Sequence, residues 1–370
     1  MARTKHFVRG AALVGIATLA LAACSSGEET TDGSSDAPAS GEALKIGTFL
    51  PITGSLAFLG PPEIAGVDLA ISEINEAGGV FGADVEVFHT DSSDTDNPGI
   101  GSESATTLIN EGVGAVIGAA SSSVTLNVVD DITNAGIVMF SPANTAAALS
   151  GYSPLYFRTA PPDTVQGDVF ATLVAEDGHD SLGLLVFNDD YGTGLRDTVV
   201  SVFEGNGGTI TYGAEDVFDP TTEDFSTIVA TLLATEPSAI GIITFDQVYQ
   251  IIPALIAAGV DPSTIYLVDG NTTDFTGEFG DADLSGMKGT IPGANPDEDF
   301  AALLDGASED GALDVYAYGP ESYDNTILVA LAALKGGAGD GQTIADNLAA
   351  VSGANGGTEC TGWVECADLI

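Results

Sequence analysis

Two periods run through the polar and apolar positions of this chain. Residues 44–50 form a compact apolar run containing Lys45, followed by a Pro-Thr-Gly loop. Pro61 and Pro62 then open a helix whose apolar positions Ile64, Val67, Ile71 and Ile74 recur at helical spacing, and Gly78 and Gly79 stop it. Residues 84–90 read as a strand with Val85 and Val87 on one face. Further strands are expected at 113–117, 137–140, 182–187, 209–212, 239–244 and 264–268, with helical patterns between most of them. This alternation predicts an α/β fold of parallel sheets covered on both faces, with ligands beyond the carboxyl ends of the strands. The pattern breaks once. Residues 155–159 read as a strand, Pro161 and Pro162 stiffen the link, and Asp163 is placed to cap the next helix. Before that point the strands make one sheet and after it the pattern restarts. The expected fold is therefore two doubly wound parallel-sheet lobes joined by crossover hinge strands. A helix-rich stretch, about 295–350, needs a sheet to pack on.

The N-terminus has a different pattern. Arg3, Lys5 and Arg9 precede an uninterrupted run of small and apolar residues from 10 to 23, too short for a permanent span and read as a secretory signal. It ends in Leu21-Ala22-Ala23-Cys24, which resembles a lipobox. That resemblance implies cleavage after residue 23, lipidation of Cys24 and anchoring at the outer face of the cell membrane; an ordinary signal peptide is the alternative. Residues 24–43 read as a flexible acidic Ser/Gly-rich tether.

Charge narrows the partners. The chain carries 54 acidic and 8 basic residues, a net charge of −46, and three of the basic ones belong to the leader. Nucleic acid is repelled by such a surface. The charge is spread along the chain, which favours solubility, as in a saline habitat, as its explanation. Apart from Cys24, only Cys360 and Cys366 are present, and outside the cytosol they are expected to form a disulfide. No metal ligand set stands out, and no cofactor is expected.

The most informative stretch is 115–163. A strand runs into Ser121, Ser122 and Ser123 and then a helix, so hydroxyls and free N–H groups converge where a carboxylate could sit; an ordinary helix cap is the alternative. Residues 140–145 repeat the layout. These segments resemble the leucine/isoleucine/valine-binding protein family, the type I periplasmic solute-binding proteins of ABC importers, and the related ligand-binding domains of metabotropic glutamate receptors. The resemblance is carried by Ile46 and Gly47 through Thr53 and Gly54, by Ile74 and Asn75 through Val80, and by Ile117 and Gly118 with the serines. Ser141-Pro142-Ala143-Asn144-Thr145, residues 157–163 with Gln166, and Asn188-Asp189-Asp190-Tyr191-Gly192 complete it, over roughly 44–334.

The resemblance implies a non-enzymatic protein that captures a small amino-acid-like or amide-like ligand between two lobes and delivers it to an ABC importer permease, as a monomer. It implies lobe I at 44–160 with about 293–350. Lobe II would be 161–292 with the C-terminal tail, although the family's closing strands have no counterpart before Ile370. It places Ser122, Ala143 and Thr145, with Ser123 beside them, on the ligand's carboxylate and amine. Asp163 and Asp269 fall on the amine and Tyr191 covers the ligand; a helix cap, a turn acid and plain packing are the respective alternatives. Leu59, with Phe58 beside it as a candidate contact, stands where the family has an aromatic of the first loop, and Phe245 or Thr244 stands where it has a ligand-contacting tyrosine. Side-chain specificity is therefore open. Among the basic residues after the tether only Arg158 falls within these segments, which disfavours ligands with several anionic groups. A sensor domain for a signalling partner, or an enzyme on the same sheet architecture, are the competing readings; against the enzyme, no nucleophile elbow or phosphate loop is present.

Overall fold

The computed structural model describes residues 41–309 and 311–370. The signal, Cys24 and most of the tether lie outside the described residues. The first lobe runs β1 (Lys45–Leu50), α1 (Gly60–Glu76), β2 (Glu86–Asp91), α2 (Pro98–Glu111), β3 (Ala115–Gly118), α3 (Ser122–Asn134), β4 (Val138–Ser141) and β5 (Tyr156–Arg158). The second continues with α4 (Asp163–Glu176), β6 (Ser181–Val186), α5 (Asp190–Gly205), β7 (Thr209–Tyr212), α6 (Ser226–Leu233), β8 (Ala239–Ile243), α7 (Val248–Ala257), β9 (Ile265–Leu267) and β10 (Lys288–Gly289). Four helices follow: α8 (Glu298–Ala307), α9 (Gly319–Gly336), α10 (Gly341–Val351) and α11 (Gly362–Ala367).

Both sheets are five-stranded and wholly parallel, in the orders β2-β1-β3-β4-β5 and β10-β9-β8-β6-β7. Strands β3, β4, β8 and β9 are buried along their whole length, as parallel strands sandwiched between helices must be. One apolar cluster joins α1, α9 and α10 to the first sheet, and a second joins α2 and α3 to its other face. A third fills the second lobe and takes in Leu56, Leu59, Ala120, Ala143 and Tyr318 from across the cleft.

Two expectations are corrected. The C-terminal tail does not return to the second lobe: Trp363 and Cys366 are buried with Val67 and Ile71 of the first, and the Trp363 N–H donates to Glu73 Oε1 at 2.7 Å. Cys360 and Cys366 are joined as a disulfide that closes this loop. Asp163 does not cap α4, whose cap residue is Pro162; Asp163 is the first helical residue and its side chain makes no capping bond. The short edge strand β10 has no apolar run to announce it. Among the described residues no helix is long and apolar enough to cross a membrane.

Candidate ligand-binding site

The carboxyl ends of the strands of both sheets face one another across a cleft. Gly118, at φ +131°, turns the chain out of β3 where a side chain would strike the Phe49 carbonyl. The next residues lead into α3. Ser121 caps that helix, its Oγ accepting the Val124 N–H at 3.2 Å, while Ser122 Oγ accepts the N–H groups of Thr145 and Ala146 at 3.3 and 3.2 Å. The loop after β4 is stitched to it: Ser141 Oγ donates to the Ala119 carbonyl, and the Asn144 amide donates to those of Ala119 and Ala120. The first N–H groups of a helix have no intrahelical acceptor, so this corner offers donors to an anion. Arg158 does not line the cavity; its guanidinium donates to the Ala146 carbonyl (2.9 Å) and Ser150 Oγ (2.6 Å).

The opposite wall is acidic and aromatic. Asp269, after β9, is a buried acceptor for three donors: the hydroxyls of Tyr191 (2.6 Å) and Tyr318 (2.7 Å) and the Gln166 amide (2.8 Å). Tyr191 stacks on Phe245 with centroids 5.5 Å apart and 15° between planes, and Phe245 packs edge-on to Phe187 at 4.7 Å. Gly270 is required beside them, since a side chain there would strike the Phe245 ring. Asp163 is fully buried and neither of its oxygens has a hydrogen-bond partner. Burial pushes its carboxyl up to about 7; the Thr145 hydroxyl, close by but outside bonding geometry, and the Arg158 charge draw it down, and Asp269 and Asp189 raise it further.

Between these walls lies a cavity of about 20 Å³, lined by Leu56, Leu59, Ser122, Thr145, Tyr191, Phe245, Asp269 and Tyr318 together with small residues including Ala143. That is room for little more than one water, so a solute enters only if the lobes part. A larger open cleft of about 730 Å³ sits at the amino ends of the first sheet's strands and lacks convergent polar groups of this kind.

The structure thus brings Ser122, Ala143, Thr145, Tyr191 and Asp269 together on the cavity. Asp163 stands beside it, its N–H donating to the Thr145 carbonyl at 2.8 Å. Ser123 is turned away: its Oγ accepts the Asp190 N–H at 3.2 Å and so bridges the lobes. Phe58 is not on the cavity either; it is half-buried against the apolar cluster while Leu56 and Leu59 form the wall. Tyr318 is the residue that sequence reasoning missed. It precedes α9 in a left-handed conformation, φ +62°, which no local pattern marks. Among the described residues no cluster of three His, Cys, Asp or Glu could hold a metal ion.

The family model described as "Periplasmic binding protein" matches residues 43–359. The leucine-, isoleucine-, valine-, threonine- and alanine-binding protein of Pseudomonas aeruginosa is 28% identical over 84% of this chain and 83% of its own. A Leu/Ile/Val-binding protein of Rhizobium johnstonii is 32% identical over 52% of each chain. Among solved structures, the branched-chain amino acid binding protein LivJ of Streptococcus pneumoniae, in complex with isoleucine, superposes with TM-score 0.73 and 26% identity over 88% of this chain and 91% of its own. The leucine-binding protein LivK of Thermotoga maritima, at 22% identity and TM-score 0.71 over 84% of this chain and 88% of its own, shares the fold. With two parallel lobes and a cleft at their strand ends, this chain belongs to the periplasmic binding protein family, the non-catalytic solute-binding proteins of the ABC-importer type.

Proposed function

We propose that the cleft captures one small zwitterionic solute of the neutral amino-acid type and presents it to an ABC importer permease from a lipid anchor at Cys24. One observation carries this reading: donors from the α3 start face the Asp269 carboxylate across the cleft, with no lysine or arginine among the lining residues. A zwitterion matches both ends, its carboxylate against Ser122 and Thr145 and its amine against the acidic wall, with the Ala143 backbone beside it. A second anionic group would have no partner. The side-chain space is bounded by Leu56, Leu59, Phe245 and Tyr318, which favours aliphatic groups. The amino acids named for the Pseudomonas protein and the isoleucine held by the Streptococcus protein support that class.

In this reading residues 44–160 with 293–350 form one lobe and 161–292 the core of the other, and the ligand favours closure by touching both. The mature protein is screened by thermal shift and then titration calorimetry against neutral, acidic and basic amino acids, amides and hydroxybenzoates. Micromolar or tighter binding of a neutral amino acid is expected, as is about 2.7 kcal/mol of added stability at a hundredfold excess over Kd. Binding only of aromatic acids or dicarboxylates would overturn the reading.

A further inference from the structure

A second opening lies on the outer side of the turn that walls the cleft. Leu56 and Leu59 face the cavity between the lobes, whereas Ala57 and Gly60 line an open pocket of about 380 Å³ behind them. That volume is in the range of sites that hold small molecules, roughly 300–1,000 Å³. The partition is a single helical turn, Ala57–Leu59, and the chain closes tightly after it, since a side chain at Gly60 would strike the Pro51 carbonyl. Ile52 from the exit of β1, Pro61 and Ile64 from α1, and Ala307 from the end of α8 give the pocket an apolar body. Ile52 is 49% exposed and Ile64 is half-buried, so apolar surface stays open to water here.

One end of the pocket is acidic. Asp68 follows Ile64 by one turn on the same face of α1, and both line the pocket, as does Glu309. His89 of β2 holds Asp68 in place. Its Nε2 lies 3.1 Å from Asp68 Oδ1, and its Nδ1 lies 3.0 Å from the hydroxyl of Thr48, which is fully buried in β1. The ring is therefore anchored at both nitrogens and engages one carboxylate oxygen. The other, Oδ2, has no hydrogen-bond partner among the described residues, and 30% of the Asp68 side chain is exposed. The apolar end offers an anion little. Although α1 begins there, Pro61 and Pro62 carry no N–H, and that of Gly60 is given to the Ala57 carbonyl. No lysine or arginine lines the pocket.

We propose that this pocket is a second binding site, for a small molecule with an apolar body and one primary ammonium group. The ammonium donates to Asp68 Oδ2, and the body covers Ile52, Pro61 and Ile64. A carboxylate in the same position would meet acids and no counter-charge. The pocket thus differs from the cleft, where the start of α3 supplies donors for the anionic end of a zwitterion. Two sites of different selectivity stand back to back on one turn of chain.

The test titrates the mature protein with phenethylamine at about 0.15 M salt, which screens the overall negative charge of the chain beyond roughly 8 Å. Methyl resonances of Ile52 and Ile64 report where the probe sits. The expected result is a saturable shift of both, with a millimolar or lower Kd. Ethylamine has the charge without the body, and 3-phenylpropionate has a similar body with the opposite charge. Each should bind at least about tenfold more weakly, the loss expected for one missing charge-assisted contact. Asp68→Asn should weaken phenethylamine by a similar factor, and Ala307→Phe, which fills the pocket from the end of α8, should abolish the shifts. Asp163→Asn, which alters only the cleft, should leave the Kd unchanged. No saturable shift, equal binding of 3-phenylpropionate, or an unchanged Kd in Asp68→Asn would overturn the proposal, as would a Kd that moves with Asp163→Asn instead. None of these outcomes depends on which solute the cleft binds.

Discussion

Asp269 on the wall of the small cavity and Asp163 beside it are both buried, and the fold treats them oppositely. Asp269 is saturated: two tyrosines and a glutamine donate to it, one of the tyrosines from the start of α9 and the rest from the second lobe. Asp163 receives nothing on either oxygen. A buried carboxylate without donors is costly, and a protein keeps one where something else supplies the compensation. The difference separates two jobs that residue type alone does not separate. Asp269 orients the aromatic wall and ties the lobes through Tyr318. Asp163 keeps both oxygens unpartnered, and in the proposed reading that position takes the ammonium group of the ligand.

That contrast is broken most directly at Asp269. Asp269→Ala leaves the Tyr191 and Tyr318 hydroxyls without an acceptor, while the Gln166 amide keeps Thr290, and each orphan costs about 1–3 kcal/mol. A loss of about 3 kcal/mol or more in urea-unfolding free energy is expected, with ligand affinity reduced as the wall loses its order. A change of less than 1 kcal/mol would show that the three bonds hold nothing together.

Asp163→Ala acts on affinity instead. Removing one charge-assisted hydrogen bond to the ligand costs about 1.5–3 kcal/mol, roughly ten- to hundredfold in Kd. The ligand-free protein should lose no stability, because the removed carboxyl was unpartnered. Titration calorimetry and melting curves on the same sample separate the two effects. Asp163 also sets a pH dependence. Its carboxyl lies at about 7 against an ordinary value of 3.8, so its contribution to ligand-free stability is full below about 4 and is lost as pH rises through 7. A cationic amine takes the proton's place, so binding below neutral pH should release a proton, measured as a dependence of the calorimetric heat on buffer ionisation enthalpy. In Asp163→Asn this dependence should disappear.

Smaller effects are expected at the contacts between lobes. Tyr318→Phe removes one donor from Asp269 and should cost about 1 kcal/mol, seen as faster ligand release in stopped-flow dissociation. Ser123→Ala removes only a 3.2 Å acceptor for the Asp190 N–H, and a few tenths of a kcal/mol, within the range for partly solvated sites, is the most that should be measured.

Much of the site was legible because it stands at strand ends. Ser122, Ala143, Thr145, Tyr191 and Asp269 each follow an apolar run that the sequence marks, and parallel strands deliver such residues to one edge of the sheet. What was not legible depends on rotation and long-range docking. Ser123 follows Ser122 by about 100° around α3, enough to aim it at the second lobe. Phe58 and Leu59 differ by a similar step in a short helical turn, and the structure turns Leu59 inward. Tyr318 reaches Asp269 across 49 positions of sequence, through a turn without an apolar repeat. The tail's packing on the first lobe is not legible, because six residues of helix carry too little periodicity to show which surface they will cover.

The docking of that tail decides what light can report about this protein. Trp363 is the only tryptophan in the chain. It is buried in the first lobe, its backbone bonded to Glu73, roughly 20 Å along α1 from Leu59 at 1.5 Å per residue. Its emission therefore monitors the seating of the disulfide-closed loop and should stay nearly silent when the cleft fills. Tyr191 and Tyr318, both on the cavity, are the natural chromophores for occupancy. Excitation at the tyrosine band and at the tryptophan red edge would give two independent optical channels in the unlabelled protein, one for the cleft and one for the far end of the same lobe.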